Sequence, residues 1–153
     1  MSGRVAQAVR PARRAAGAMQ TVTELPPPDP RLLDEARTVA ASPAAHDRLV
    51  AALPCLHAVE RIAPAKPRTL GNRFRVAAWN AERCKFIPES AALLAGIGAD
   101  VTLLSELDIG MARSGNRHTV AALSERLDAG YAFGVEYVEL GLGDNREMAW
   151  HAG

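Results

Sequence analysis

Apolar residues change their spacing near residue 70. Ahead of it, Leu32, Leu33, Ala36, Val39 and Ala40 recur at the spacing of one helix face. Asp29 before Pro30 supplies an N-cap and a first-turn proline, which predicts where that helix starts. Ser42 and Pro43 repeat the signal. They predict a second helix with Leu49, Val50 and Leu53 on one face, stopping before Pro54. The two read as a short helical hairpin. A third short segment, Leu56 to Ile62, leads into a Pro-rich linker at Pro64 and Pro67.

Beyond residue 70 the pattern becomes that of strands alternating with helices. Phe74, Val76, Ala77, Ala78 and Trp79 form an apolar run suited to a buried strand, with Trp79 in the core. Glu89 to Ile97 reads as a helix, with Pro88 in its first turn and Gly96 and Gly98 at its end. Val101 to Leu104 is a second strand, and the helix between has the length of a right-handed parallel crossover. Ile109 to Asn116 reads as a loop, Thr119 to Leu127 as a helix, and Tyr131 to Leu140 as a third strand.

Composition sharpens this division. The chain has 153 residues, 48% of them apolar and 23% charged, which excludes collagenous and wholly disordered classes. No apolar run approaches the ~20 residues of a membrane span. Cys55 and Cys84 have no metal-ligand spacing. Of 12 glycines and 10 prolines, most prolines precede Gly71 and most glycines follow it. The reading is a disordered basic and Pro-rich tail over 1–28, short helices and linker over 29–70, and an α/β unit over 71–153. Arg4, Arg10, Arg13 and Arg14 lie in the tail with no acid before Glu24. They interrupt every stretch that would serve as a secretory signal, which leaves the cytoplasm as the expected location.

Polar residues close both crossover strands: Asn80-Ala81-Glu82-Arg83 after the first and Ser105-Glu106-Leu107-Asp108 after the second. Ligands of open α/β sheets collect outside the carboxyl ends of parallel strands, and neighbouring strands lie ~4.8 Å apart. Asn80 and Glu106 are therefore expected to share one site. A carboxylate and an amide suit magnesium and phosphate; helix capping and solvated loops use the same residue types.

Phe74-Arg75-Val76-Ala77-Ala78-Trp79-Asn80 and Ala99-Asp100-Val101-Thr102-Leu103-Leu104-Ser105-Glu106-Leu107-Asp108 resemble the opening strands of the endonuclease/exonuclease/phosphatase superfamily. The family usually has Gln where Ser105 stands. The resemblance implies the N-terminal half of a four-layer α+β sandwich and metal-dependent hydrolysis of a phosphodiester or phosphomonoester. It makes Glu106 the principal ligand of Mg2+ (or Mn2+), and puts Asn80 against phosphate or the metal shell. Ile109-Gly110-Met111-Ala112-Arg113-Ser114-Gly115-Asn116 resembles a Gly- and Arg-containing loop of bacterial members, which makes Arg113 and Asn116 candidates for substrate binding. Tyr131-Ala132-Phe133-Gly134 resembles the next family strand.

Two roles stay open for several of these groups. Glu82 and Asp108 either orient a metal ligand or face solvent as loop acids. Arg113 either grips a phosphate or sits exposed. Arg83 and Lys85 flank Cys84 and would lower its thiol pKa. His118 is expected to be a polar loop residue rather than a substrate contact, and His46 and His57 ordinary helix residues.

The family also carries Gly-Asp-x-Asn and Ser-Asp-His motifs for proton transfer. Gly143-Asp144-Asn145 and His151 do not match them. The expectation is an incomplete unit without turnover of its own, its half-built sheet exposing an edge and an apolar face prone to self-association. The alternative is a non-catalytic remnant or binding fragment. Residues 71–153 hold eight basic and eleven acidic side chains, a balance that does not indicate duplex nucleic acid as a partner.

Overall fold

The expected crossover forms around a helix with Pro88 in its first turn and a glycine cap at its end. The computed structural model describes residues 19–141 together with Asn145 and Ala149. Strand β1 is Gln20–Val22, helix α1 Pro30–Thr38, helix α2 Pro43–Ala52, and β2 Ala58–Ile62. Then come β3 (Val76–Arg83), α3 (Ile87–Ile97), β4 (Val101–Leu107) and the short strands β5 (Ile109–Met111) and β6 (Arg117–His118). Helix α4 (Thr119–Leu127) and β7 (Tyr131–Gly134) follow. The class is α+β, with helices set beside small mixed sheets.

β3 and β4 pair in parallel, Val76 opposite Val101 through Asn80 opposite Ser105, with α3 as the crossover. The αL cap at Gly98 (φ 61°) ends α3, its N–H donating to the Leu94 and Ala95 carbonyls. Asp100 then accepts from the Arg75 amide at 2.9 Å and fixes where β4 begins beside β3. One face of this pair packs on α3 and α4. Its core is Ala81, Cys84, Ile87, Ala91, Leu94 and Leu123, with Trp79, Leu104 and Leu107 packed against it. Trp79, expected in the core, is partly buried and packs against its edge.

Asp29 and Ser42 cap α1 and α2 through their side chains. Arg48 of α2 pairs with Glu35 of α1 at 2.6 Å across the hairpin. His46 lies in α2 and pairs with its neighbour Asp47.

Four expectations change. The stretch expected to be a disordered tail contains β1, which runs parallel to β2 from Gln20 opposite Ala58; residues 1–18, with the four arginines, lie outside the described residues. The Leu56–Ile62 segment is a 3-10 turn carrying His57, followed by a strand. The third strand stops at Gly134 rather than Leu140, and it pairs antiparallel with β2, in a separate sheet from β3 and β4. The Ile109–Asn116 loop is itself a β5–β6 hairpin, closed by Gly115 (φ 73°) and Asn116 (φ 53°). Among the described residues no helix is long and apolar enough to cross a membrane.

Candidate functional site

The β3–β4 ladder is regular to Asn80 and Ser105, then shifts register before pairing Arg83 with Leu107. The shift coincides with left-handed backbone at Glu82 (φ 44°), Arg83 (φ 72°), Cys84 (φ 50°) and, on the other strand, Glu106 (φ 57°). L-residues pay about 1 kcal/mol or more for each such conformation, so it persists only where the surroundings hold it. Here Cys84, 1% exposed, is sunk into the core and its N–H donates to the Ala81 carbonyl at 2.8 Å. The bulge re-aims the strand ends, as bulges beside sites do.

The result is a small polar constellation. Asn80 Oδ1 accepts the Glu82 N–H at 3.0 Å, an Asx-type turn that fixes the amide's orientation. Asn80 Nδ2 is then turned to Glu106 and donates to Oε1 at 2.6 Å. Arg83 Nη1 donates to the other carboxylate oxygen, Oε2, at 2.8 Å. The structure thus brings Asn80 and Glu106 together, as the strand-end argument expects. Glu82 acts here through its backbone amide, and its side chain lies outward in solvent. Arg83 was not among the expected site residues. Its signal was its place one step beyond Glu82 at the same strand end.

Glu106 and Arg83 line a cleft of about 720 Å3 whose walls also include Glu60, Asp108, Arg113 and His118. Asp108 and Arg113 are not open to a ligand. The Arg113 fork is bidentate on Asp108, Nε to Oδ2 at 2.8 Å and Nη2 to Oδ1 at 2.9 Å, and its Nη1 lies 3.0 Å from Glu139 Oε2. The Arg113 side chain is 3% exposed. A buried guanidinium must be paired, so the expected phosphate grip is replaced by an internal clamp. Asp108 likewise neither faces solvent nor touches Glu106's partners: Thr119 Oγ1 and N–H donate to its carbonyl, and Arg113 takes its carboxylate. Asn116 supplies the left-handed turn of the hairpin, its N–H on the Met111 carbonyl at 2.9 Å.

A second cluster sits on the cleft wall. Glu60, 4% exposed, accepts from the Leu25 amide and from Tyr131 Oη, and His118 Nε2 lies 2.9 Å from its Oε1. His118 Nδ1 also accepts from the Ala121 amide and caps α4. Burial by itself would raise the Glu60 pKa, but hydrogen bonds from Tyr131 and the Leu25 amide, with His118, outweigh it and lower the pKa. Burial, then the hydrogen bond to Glu60, pushes Tyr131 up. Sequence reading missed this cluster because its members are far apart in the chain. The one local signal is an acid inside the apolar run Ala58–Ile62.

Cys84 reverses its expectation. Burial raises its thiol pKa, and a hydrogen bond with Ser90 offsets part of that. Neither cysteine is in a disulfide.

The donor set suits a hard cation to a limited extent. Magnesium is commonly held by one or two carboxylates, with water and substrate phosphate completing its shell. Glu106 is one half-exposed carboxylate at a cleft mouth, and a cationic side chain already stands against it. Among the described residues no three His, Cys, Asp or Glu side chains gather into a cage. The chain matches no family model, no curated protein and no solved structure.

Proposed function

We propose that the strand-end pair Asn80 and Glu106 is the cation- and phosphate-orienting part of a phosphoesterase site, of the kind found in the endonuclease/exonuclease/phosphatase superfamily. The observation that carries this reading is the 2.6 Å contact between Asn80 Nδ2 and Glu106 Oε1 across the carboxyl ends of two parallel strands. It supports the sequence resemblance with geometry, and the four-layer sandwich is part of the same proposal. Glu106 would hold Mg2+ or Mn2+. The ion, when bound, neutralises phosphate charge and favours the leaving oxygen.

The chain's own residues do the positioning. The Glu82 amide fixes the Asn80 amide plane, so Asn80 presents its N–H2 in one direction. That group orients the Glu106 carboxylate, and its second N–H would be offered to a phosphate oxygen.

The alternative reading is a binding fragment without turnover, and a specific observation favours it for these residues. His118 and Asp108, which also line the cleft, are both committed, to Glu60 and to Arg113, so neither is free to move a proton there. The two readings share the cation and phosphate steps and part at hydrolysis.

Calorimetric titration with Mg2+, then with inorganic phosphate, tests the shared part. Binding is expected for the wild type, with cation binding lost in Glu106→Gln and phosphate binding weakened in Asn80→Ala. Cation binding that survives in Glu106→Gln overturns the assignment. Hydrolysis of a simple phosphodiester by the purified 153 residues is expected to be undetectable; Mg2+-dependent turnover would overturn that expectation.

A further inference from the structure

The cation facing Glu106 in this protein is one of its own side chains. Arg83 Nη1 lies 2.8 Å from Glu106 Oε2, while the other oxygen, Oε1, is taken by Asn80. Both oxygens of the carboxylate are therefore engaged before any ligand arrives.

Arg83 is also tethered in a way that keeps it there. Its backbone lies between two further left-handed residues, and Cys84 beside it is anchored in the core. The guanidinium is thus delivered to Glu106 at high effective concentration by a fixed turn. The pair is nonetheless displaceable. Its side chains are 26% and 40% exposed, against 3% and 6% for Arg113 and Asp108. Partly exposed ion pairs contribute little to stability, whereas a buried pair cannot open without stranding a charge. The two arginines near the cleft therefore differ in kind: one clamp is permanent, the other can let go.

We propose that Arg83 is a built-in competitor for the Glu106 carboxylate, so that a divalent cation binds only by displacing its guanidinium. This rests on the reading of Glu106 as a cation ligand. Two positive groups sharing one carboxylate repel each other, which makes occupancy by Arg83 and by the metal mutually opposed. Displacement leaves a planar guanidinium at the cleft mouth, whose fork of N–H donors has the geometry to take an anionic oxygen.

The test is Mn2+ binding to the full chain, measured by calorimetry and by loss of the free-ion electron paramagnetic resonance signal. The variants are Arg83→Met, Arg83→Gly, Glu106→Gln and the Arg83→Met/Glu106→Gln double. Arg83→Gly accepts the left-handed backbone (φ 72°) without strain. Circular dichroism before titration confirms that each variant is folded. Arg83→Met and Arg83→Gly are expected to bind Mn2+ about fivefold tighter than wild type, the scale of one partly exposed ion pair. The gain should vanish in the double variant. Unchanged or weaker binding in both folded Arg83 variants, with binding still lost in Glu106→Gln, overturns the competition and leaves the Glu106 reading standing. No Mn2+ binding in wild type or in either Arg83 variant overturns the Glu106 reading and the competition with it.

Discussion

Arg83 and Arg113 carry the same chemistry to the same cleft, and burial alone separates their roles. Asp108 and Arg113 are nearly sealed, with Glu139 as a third partner. Breaking a buried pair costs about 3–5 kcal/mol, and removing Asp108 takes the bidentate partner from a guanidinium in a poorly solvated place while Glu139 remains. Asp108→Ala is therefore expected to lower unfolding stability by about 3 kcal/mol, read as a shift in the urea midpoint at constant slope. Arg83→Met should cost under about 1 kcal/mol in the same measurement, because its pair is partly solvated. Equal losses would contradict this division. None of it is readable from sequence. Both arginines look like loop residues there, and what buries Arg113 is Asp108 five positions earlier together with Glu139. Asn80 and Glu106 are different. Their partnership follows from two local facts, an apolar strand ending in a polar residue and a crossover helix of the right length, so the sequence suffices to pair them.

The same distinction holds among elements. The β3–α3–β4 unit is legible because each part is local: apolar runs for the strands, Pro88 in the first turn, Gly98 at the αL cap. The β1–β2–β7 sheet is not, because it pairs residues as far apart as Gln20 and Ala58 or Val59 and Gly134, and no nearby turn sets its register. What secures it is the Glu60 cluster, linking the segment after β1 (Leu25), β2 itself, the start of α4 (His118) and β7 (Tyr131). Glu60 has a lowered pKa in the fold. Between the ordinary carboxylate value of ~4.3 and its folded value, the unfolded chain binds more protons, so stability is lost as pH falls through that window. Tyr131 has a raised pKa. Above the ordinary tyrosine value of ~10 the unfolded chain releases its proton first, so stability is lost as pH rises there. Thermal midpoints across pH should therefore fall at both ends. Glu60→Gln should flatten the acid arm and shrink the alkaline one. An unchanged acid arm in that variant would remove Glu60 as its cause. Gly130, just ahead of β7, gives a steric check on the same sheet. A Cβ there would lie 2.5 Å from Pro64 Cδ and 2.7 Å from the Ile62 carbonyl oxygen. Gly130→Ala must push β7 from β2 and should cost about 1–3 kcal/mol, the range of an overpacked site.

At the scale of the whole molecule, the β3–β4 pair has one face covered by α3 and α4 and, among the described residues, one face open. Along β3 the exposed positions are Val76, Ala78 and Asn80, and on β4 Leu103 and Ser105, alternating with the covered positions as a strand must. Val76 is 49% exposed, Leu103 59% and Phe74, just ahead of β3, 54%. Both outer edges of the pair also lack a neighbouring strand among the described residues. The charge at the strand ends does nothing to guard this face, since Asn80, Glu106 and Arg83 satisfy one another. An apolar face joined to open edges favours contact with further copies as concentration rises. Sedimentation velocity on the isolated chain should show association that grows with concentration. Leu103→Lys, which puts a charge at the centre of the open face, should reduce it. The same charge at Ala95, an exposed position on α3, should leave it unchanged. Equal relief from both substitutions would mean that net charge rather than this face governs association. A wild-type chain that stays monomeric at every concentration would mean that the face is not sticky enough to matter.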